Sequence, residues 1–108
     1  MKETVRQLLS YRCLYTEIRT LEHQLAETAQ AADPGVMELR AAMERRQLEA
    51  WRRLRACERV VAAQDDARLR TILRQYYLMG RTQREVAETL NLSERTVNRQ
   101  LSRFRREG

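Results

Sequence analysis

The chain of 108 residues is long enough for one domain, or for one small domain with an extension, and it carries a net charge of +6. Only three glycines and one proline interrupt a sequence rich in helix formers, and no alternating apolar run of strand length occurs. This composition argues against a sheet and predicts an all-α protein. The charge favours a polyanionic partner, but it does not choose between nucleic acid, an anionic membrane surface and an acidic protein.

Residues 3–29 are predicted to form one amphipathic helix. Its apolar side chains recur at spacings of three and four: Leu8, Tyr11, Leu14, Tyr15, Ile18, Leu21 and Leu25. The stretch AADPG, residues 31–35, then predicts a turn, because proline fixes φ and glycine relaxes it.

Residues 36–63 form a second long amphipathic pattern, with Leu39 and Leu54 near its apolar side and Trp51 flanking it. Since two long two-faced helices joined by a short turn pack antiparallel, residues 1–63 are predicted to be a coiled-coil-like helical hairpin. The hairpin alone leaves apolar surface exposed, which favours a homodimer. Cys13 and Cys57 are expected to be core-facing thiols rather than a disulfide.

Residues 64–108 are predicted to form a compact three-helix domain. Asp65 or Asp66 is expected to cap its first helix, and Gly80 to end it. This helix is either separated from the helix over 36–63 by a break near residue 64 or continuous with it through a kink. The expected buried stripe of this helix consists of Leu69, Ile72, Leu73 and Tyr76. Tyr77 is expected to be partly exposed.

The next helix has a strong start signal, because Thr82 is followed three residues later by Glu85, which is the pattern of a capping box. The letters NLS, residues 91–93, mark a turn, and Ser93 is expected to cap a last helix over 94–107. Its inward positions are predicted to be Val97, Leu101 and Phe104, spaced four and three apart.

The outer face of helix 94–107 carries the side chains that can read DNA: Glu94, Arg95, Asn98 and Arg99. Arginine can bridge guanine O6 and N7, asparagine can bridge adenine N6 and N7, and glutamate can accept from cytosine N4. These residues lie in the first two turns, the part that enters the major groove in a helix-turn-helix. The alternative interpretation is a pair of amphipathic helices at a protein–protein contact.

The stretch YYLMGRTQREVAETLNLSERTVNRQLSRFRRE resembles the fourth region of bacterial sigma factors, and the whole layout resembles small phage or prophage sigma-like regulators. This resemblance implies base contacts through Glu94, Arg95, Asn98 and Arg99. The phosphate contacts that it implies are Arg81, Thr82, Gln83, Ser93, Thr96 and Arg103. The chain is too short to hold the promoter-melting region as well, so the resemblance implies a DNA-binding regulator rather than a complete sigma factor.

Other chemistry finds little support in the sequence. His23 is the single histidine and has no metal-spaced companions, and neither a Gly-rich phosphate loop nor a nucleophile beside a base is recognisable. We therefore expect no catalysis, cofactor, metal or small-molecule ligand. The expected partners are double-stranded DNA, a second copy of the chain and RNA polymerase. With no leader pattern or apolar run of membrane-spanning length, a cytoplasmic protein is expected, in a bacterium or in the host of a phage.

Overall fold

The computed structural model describes residues 2–107, and every regular element in that range is helical. The all-α prediction is therefore confirmed for these residues. The elements are α1 (Glu3–Leu9), α2 (Tyr11–Glu27), α3 (Pro34–Ala62), α4 (Ala67–Leu73), a π-helical turn (Arg74–Leu78), α5 (Gln83–Leu90) and α6 (Glu94–Glu107). None of these helices is both long and apolar enough to cross a bilayer within the described residues.

Two compact units can be distinguished. One holds Cys13–Ala56, and the other combines the residues up to Arg12 with those from Cys57 onward. The segment before Cys13 thus shares a unit with α4, α5 and α6. The division into a hairpin over 1–63 and a domain over 64–108 remains a prediction.

The unit Cys13–Ala56 is an antiparallel pair made from the larger parts of α2 and α3. The Arg46 guanidinium lies 3.5 Å from a carboxylate oxygen of Glu17, whereas Arg40 donates to the carbonyl of Leu25, so the sequence runs in opposite directions along the two helices. Its core consists of side chains that are at least nine-tenths buried: Leu14, Ile18, Leu21, Met43, Ala50 and Leu54.

The boundaries of these helices differ from the sequence prediction at the break in the first helix and at the start of the second, and by one or two residues at their ends. The predicted helix 3–29 is divided at Ser10, whose hydroxyl donates to the carbonyl of Gln7 and whose N–H is shared between two carbonyls. The second helix begins at Pro34 rather than at residue 36, because the Asp33 carboxylate accepts the N–H groups of Gly35 and Val36. Proline suits this first position, since its missing N–H would have no partner there.

Three predicted core positions of this unit are exposed in the structure. Tyr15 and Leu39 are solvent-exposed, and Cys13 is an exposed free thiol, whereas Cys57 is buried. The buried seam of α2 runs through Leu14, so the residues on either side of it are turned about 100° away from the seam. The expectation of two core-facing thiols was therefore wrong for Cys13.

The other unit closes around side chains from all of its helices. The following are almost completely buried: Leu8, Cys57, Val61, Ile72, Leu73, Val86, Val97 and Leu101. Full burial of one such aliphatic side chain stabilises a fold by roughly 1.5–3 kcal/mol. Helix α1 contributes Val5 and Leu8 to this core and packs against the π turn.

The π turn changes which tyrosine is buried. The N–H of Met79 reaches back five residues to the carbonyl of Arg74, where an α-helix would reach back four. The wider turn shifts the inward position that follows Ile72 from Tyr76 to Tyr77. Tyr77 is 4% exposed and Tyr76 is only half-buried, so the prediction of a buried Tyr76 and a partly exposed Tyr77 was wrong.

Candidate DNA-binding surface

Helix α5 begins with the predicted capping box. Oγ1 of Thr82 accepts the Glu85 N–H at 3.1 Å, and the Glu85 carboxylate accepts the Thr82 N–H at 2.9 Å. Hydrogen bonds to the carboxylate from the backbone N–H and then from the side chain of Thr82, together with the nearby positive charge of Arg81, hold the pKa of Glu85 below its ordinary value. The start of α5, next to several candidate phosphate contacts, is thereby fixed.

The turn between α5 and α6 is a Schellman motif. Asn91 adopts the left-handed conformation with φ of 55°, and the N–H groups of Asn91 and Leu92 close onto the carbonyls of Glu88 and Ala87. Ser93 then caps α6 by accepting the N–H of Thr96 at 3.1 Å. Because the turn is so tight, the orientation of α6 relative to α5 is fixed.

Helix α6 has the two faces that the sequence predicts. Val97, Leu101 and Phe104 are buried, and these positions fix the helix against α4 and α5. The four candidate base-reading side chains are all exposed: Glu94, Arg95, Asn98 and Arg99. Because they occupy the first two turns, they present donors and acceptors at the end of the helix that a helix-turn-helix inserts into the major groove.

One of these side chains is tied to the preceding helix. Nδ2 of Asn98 donates to Oε1 of Gln83 at 3.2 Å. The amide orientation follows from this hydrogen bond. A candidate base contact on α6 and a candidate phosphate contact at the start of α5 therefore lie in direct contact.

The remaining phosphate candidates near the turn are also held by short-range hydrogen bonds. The hydroxyls of Ser93 and Thr96 are 2.8 Å apart, and Arg81 donates to the hydroxyl of Thr89 at 3.2 Å. Thr82 is exposed beside them. These side chains border the outward end of α6 and offer O–H and N–H donors of the kind that contact DNA phosphates.

Arg103 lies apart from this group. Its guanidinium pairs with the Glu107 carboxylate at 3.3 Å, and it lines a cavity together with Asp65 and Asp66. Three carboxylates therefore lie near Arg103. The sequence does not indicate this acidic environment, because α6 itself contains five arginines.

Arg105 takes a role that the sequence does not reveal. It donates to the hydroxyls of Tyr77 and Tyr76 at 3.2 and 3.4 Å, and its guanidinium carbon lies 5.8 Å from the centre of the Tyr76 ring. The hydrogen bond from the guanidinium to Tyr77 raises the pKa of Arg105 above its ordinary value. Arg105 therefore joins the end of α6 to the π turn instead of pointing outward.

His23 lies outside this surface. His23 is exposed on α2, with Nε2 2.9 Å from a Glu27 carboxylate oxygen. Among residues 2–107, no group of three or more His, Cys, Asp or Glu side chains is placed to hold a metal ion.

The segment from α4 to α6 is similar to a known protein family. Residues 66–107 match the family model described as sigma-70, region 4, which covers less than half of the chain. No curated protein and no solved structure matches the chain. The segment from α4 to α6 is thus a sigma region 4-like helix-turn-helix, a type of domain associated with DNA binding in transcription.

Proposed function

Because residues 66–107 are a sigma region 4-like helix-turn-helix, we propose that the protein is a sequence-specific, DNA-binding regulator of transcription that reads the major groove with α6. The observation that carries this proposal is the division of α6 into a buried anchor and an exposed polar face. Val97, Leu101 and Phe104 fix the helix, while all four candidate base contacts remain exposed to solvent.

The chemistry of that face determines what it would recognise. Arg95 and Arg99 have no hydrogen-bond or ion-pair partner among the described residues, so each guanidinium can take a guanine edge without first breaking an intramolecular contact. Asn98 suits adenine, and Glu94 suits the amino group of cytosine. Arg81, Thr82, Gln83, Ser93, Thr96 and Arg103 would set the register through phosphate contacts.

The proposal extends to a phage or prophage origin and to a homodimer formed through the helical hairpin. The origin rests on the layout, in which paired helices precede a region 4-like domain. The dimer is supported by large apolar side chains that α2 and α3 leave exposed, namely Tyr15, Met37, Leu39, Leu48 and Trp51. A second copy covering them would remove apolar area from water.

Selection of bound fragments from a random DNA pool tests the main proposal. Wild-type protein is expected to enrich one sequence, and Arg99→Ala should then bind it more weakly by about 1–3 kcal/mol with relaxed preference at one position. Arg19→Ala is the matched control, because Arg19 is exposed on α2 and, among residues 2–107, its one ion pair is with Glu22. If Arg99→Ala keeps the wild-type affinity for every sequence, α6 does not read bases as proposed.

A second candidate function is an adaptor that docks on RNA polymerase or on another regulator through the hairpin. The exposure of Leu48 and Trp51 on α3 favours it, since apolar side chains of this size commonly anchor protein contacts. Gel filtration with random genomic DNA fragments at low salt distinguishes the two functions. A DNA reader shifts to larger size under these conditions, whereas an adaptor alone does not.

A further inference from the structure

A groove in the unit that contains the helix-turn-helix is lined mainly by residues of the matched segment, but also by Leu8, Leu9 and Arg12 from outside it. Arg12, at the start of α2, shares this groove of about 450 Å³ with Arg81, Thr82 and Gln83. The groove has no acidic side chain in its lining. It therefore brings a second arginine to the side of α5 where three candidate phosphate contacts lie.

The position of Arg12 is defined by the loop that precedes α5. Its Nη1 donates to the carbonyl of Leu78 at 3.3 Å, and its Nε lies 3.3 Å from the place where a Cβ on Gly80 would stand. Gly80 has φ of 71°, so the chain turns sharply here towards Arg81 and Thr82. The Arg12 side chain is exposed, and its guanidinium carries a permanent positive charge with five N–H groups in a planar fork.

The same groove leads to the recognition helix. Gln83 lines it and also accepts the amide of Asn98 on α6. In a helix-turn-helix the second helix enters the major groove and the first crosses the backbone, so the start of α5 comes close to phosphates when Asn98 reaches a base. Arg12 lies beside that start.

We propose that Arg12 is a DNA-phosphate contact, which extends the DNA-binding surface beyond the helix-turn-helix onto the first turn of α2. The inference rests on the proposed DNA-reading function of α6. It assigns α2 a role in DNA binding, because the cation comes from a residue that lies outside 66–107. The contact adds affinity for any sequence, since phosphates carry no base identity.

The experiment measures the affinity of full-length protein for its selected site and for a scrambled duplex over a range of KCl concentrations. Arg12→Gln is expected to weaken binding to both duplexes by the same factor, about three- to tenfold near 0.1 M KCl, and to lower the salt slope by about 0.9. Arg12→Lys keeps the charge and should keep the slope. Arg19→Gln, two turns further along α2, serves as the matched control for loss of one exposed arginine.

The outcomes separate this inference from the proposed function. If wild-type protein binds specifically and Arg99→Ala loses that preference, but Arg12→Gln keeps the wild-type slope, Arg12 is not a phosphate contact. A slope that falls equally in Arg12→Lys and Arg12→Gln, with a lowered midpoint of thermal unfolding in both, identifies a structural role and also overturns the inference. If wild-type protein shows no specific binding, the proposed function fails first and the inference fails with it.

Discussion

Nδ2 of Asn98 donates to Oε1 of Gln83 at 3.2 Å, so a candidate base-reading side chain on α6 is held by a residue at the start of α5. A positioned side chain loses less conformational freedom when it binds than a free one does. The contact also links a candidate base contact to a candidate phosphate contact, since Gln83 lies at the start of α5. The orientation of Asn98 should therefore depend on a residue that reads no base itself.

Replacing Gln83 with alanine tests this coupling. Gln83→Ala is expected to weaken binding to the selected site by about 0.5–1.5 kcal/mol, because Asn98 loses a hydrogen bond that fixes its amide. Binding to a scrambled duplex should weaken less. Fluorescence anisotropy with both duplexes measures the difference, and Gln24→Ala, at an exposed position on α2, is the control. Equal losses on both duplexes would show that Gln83 contributes only a phosphate contact.

The two neighbouring arginines near the end of α6 are expected to differ in their effect on stability. Arg105→Ala removes two hydrogen bonds to tyrosine hydroxyls and a cation–π contact with Tyr76, and it should lower the free energy of unfolding by about 1–2 kcal/mol. Arg106 is exposed, so Arg106→Ala should change stability by less than about 0.5 kcal/mol. Urea denaturation of both variants measures the contrast. Similar free energies of unfolding for the two variants would show that Arg105 does not stabilise the π turn.

The local signals of the sequence predict much of the helix-turn-helix. The capping box at Thr82, the cap at Ser93 and the bounds of the last helix depend on residues within one turn of each other, and all are confirmed. The inward positions of α6 follow from the same periodicity. Short-range hydrogen bonds and a regular repeat suffice for such features.

The features that the sequence does not predict depend on register or on distant contacts. The π turn adds one residue to a helical repeat and so buries Tyr77 instead of Tyr76, and no residue type marks that insertion. Arg105 is one of five arginines in α6, and only the position of the tyrosines distinguishes it. Arg12 lies 68 residues before Gly80, so its place beside that glycine requires the folded chain.

Gly80 is expected to resist substitution, whereas Gly35 is not. Gly80→Ala should cost about 1–2 kcal/mol, because φ of 71° strains any residue with a Cβ and the added carbon would lie 3.3 Å from Nε of Arg12. Gly35 lies in the first turn of α3, and the side chain of Asp33 that approaches it can shift. Gly35→Ala should therefore be neutral within about 0.5 kcal/mol. Thermal unfolding of the two variants compares them, and equal shifts would contradict the left-handed turn at Gly80.

The capping box predicts a pH dependence of stability. The pKa of Glu85 is lower in the folded protein than its ordinary value of 4.5, so the folded state favours the carboxylate. This contribution is fully present above the unfolded pKa and is lost as the pH falls through the folded pKa. Glu85→Gln should hence reduce the fall in the midpoint of thermal unfolding between about pH 6 and pH 3. Glu88→Gln, on the same helix, is the control, and an unchanged fall in Glu85→Gln would contradict the assignment.

The exposed apolar side chains of α3 predict how the proposed dimer can be dissociated. Met37, Leu48 and Trp51 fall on one face of the helix, since spacings of eleven and three residues bring these side chains within about 60° of one another. Leu48→Lys should raise the dimer dissociation constant at least about tenfold, because a charge replaces an apolar contact worth roughly 1.5–3 kcal/mol. Glu49→Gln changes the net charge by the same amount at the neighbouring position and should leave the dimer intact. Sedimentation velocity at several protein concentrations resolves the two states; monomeric wild-type protein, or equal sedimentation of wild type and Leu48→Lys, would rule out a dimer through this face of α3.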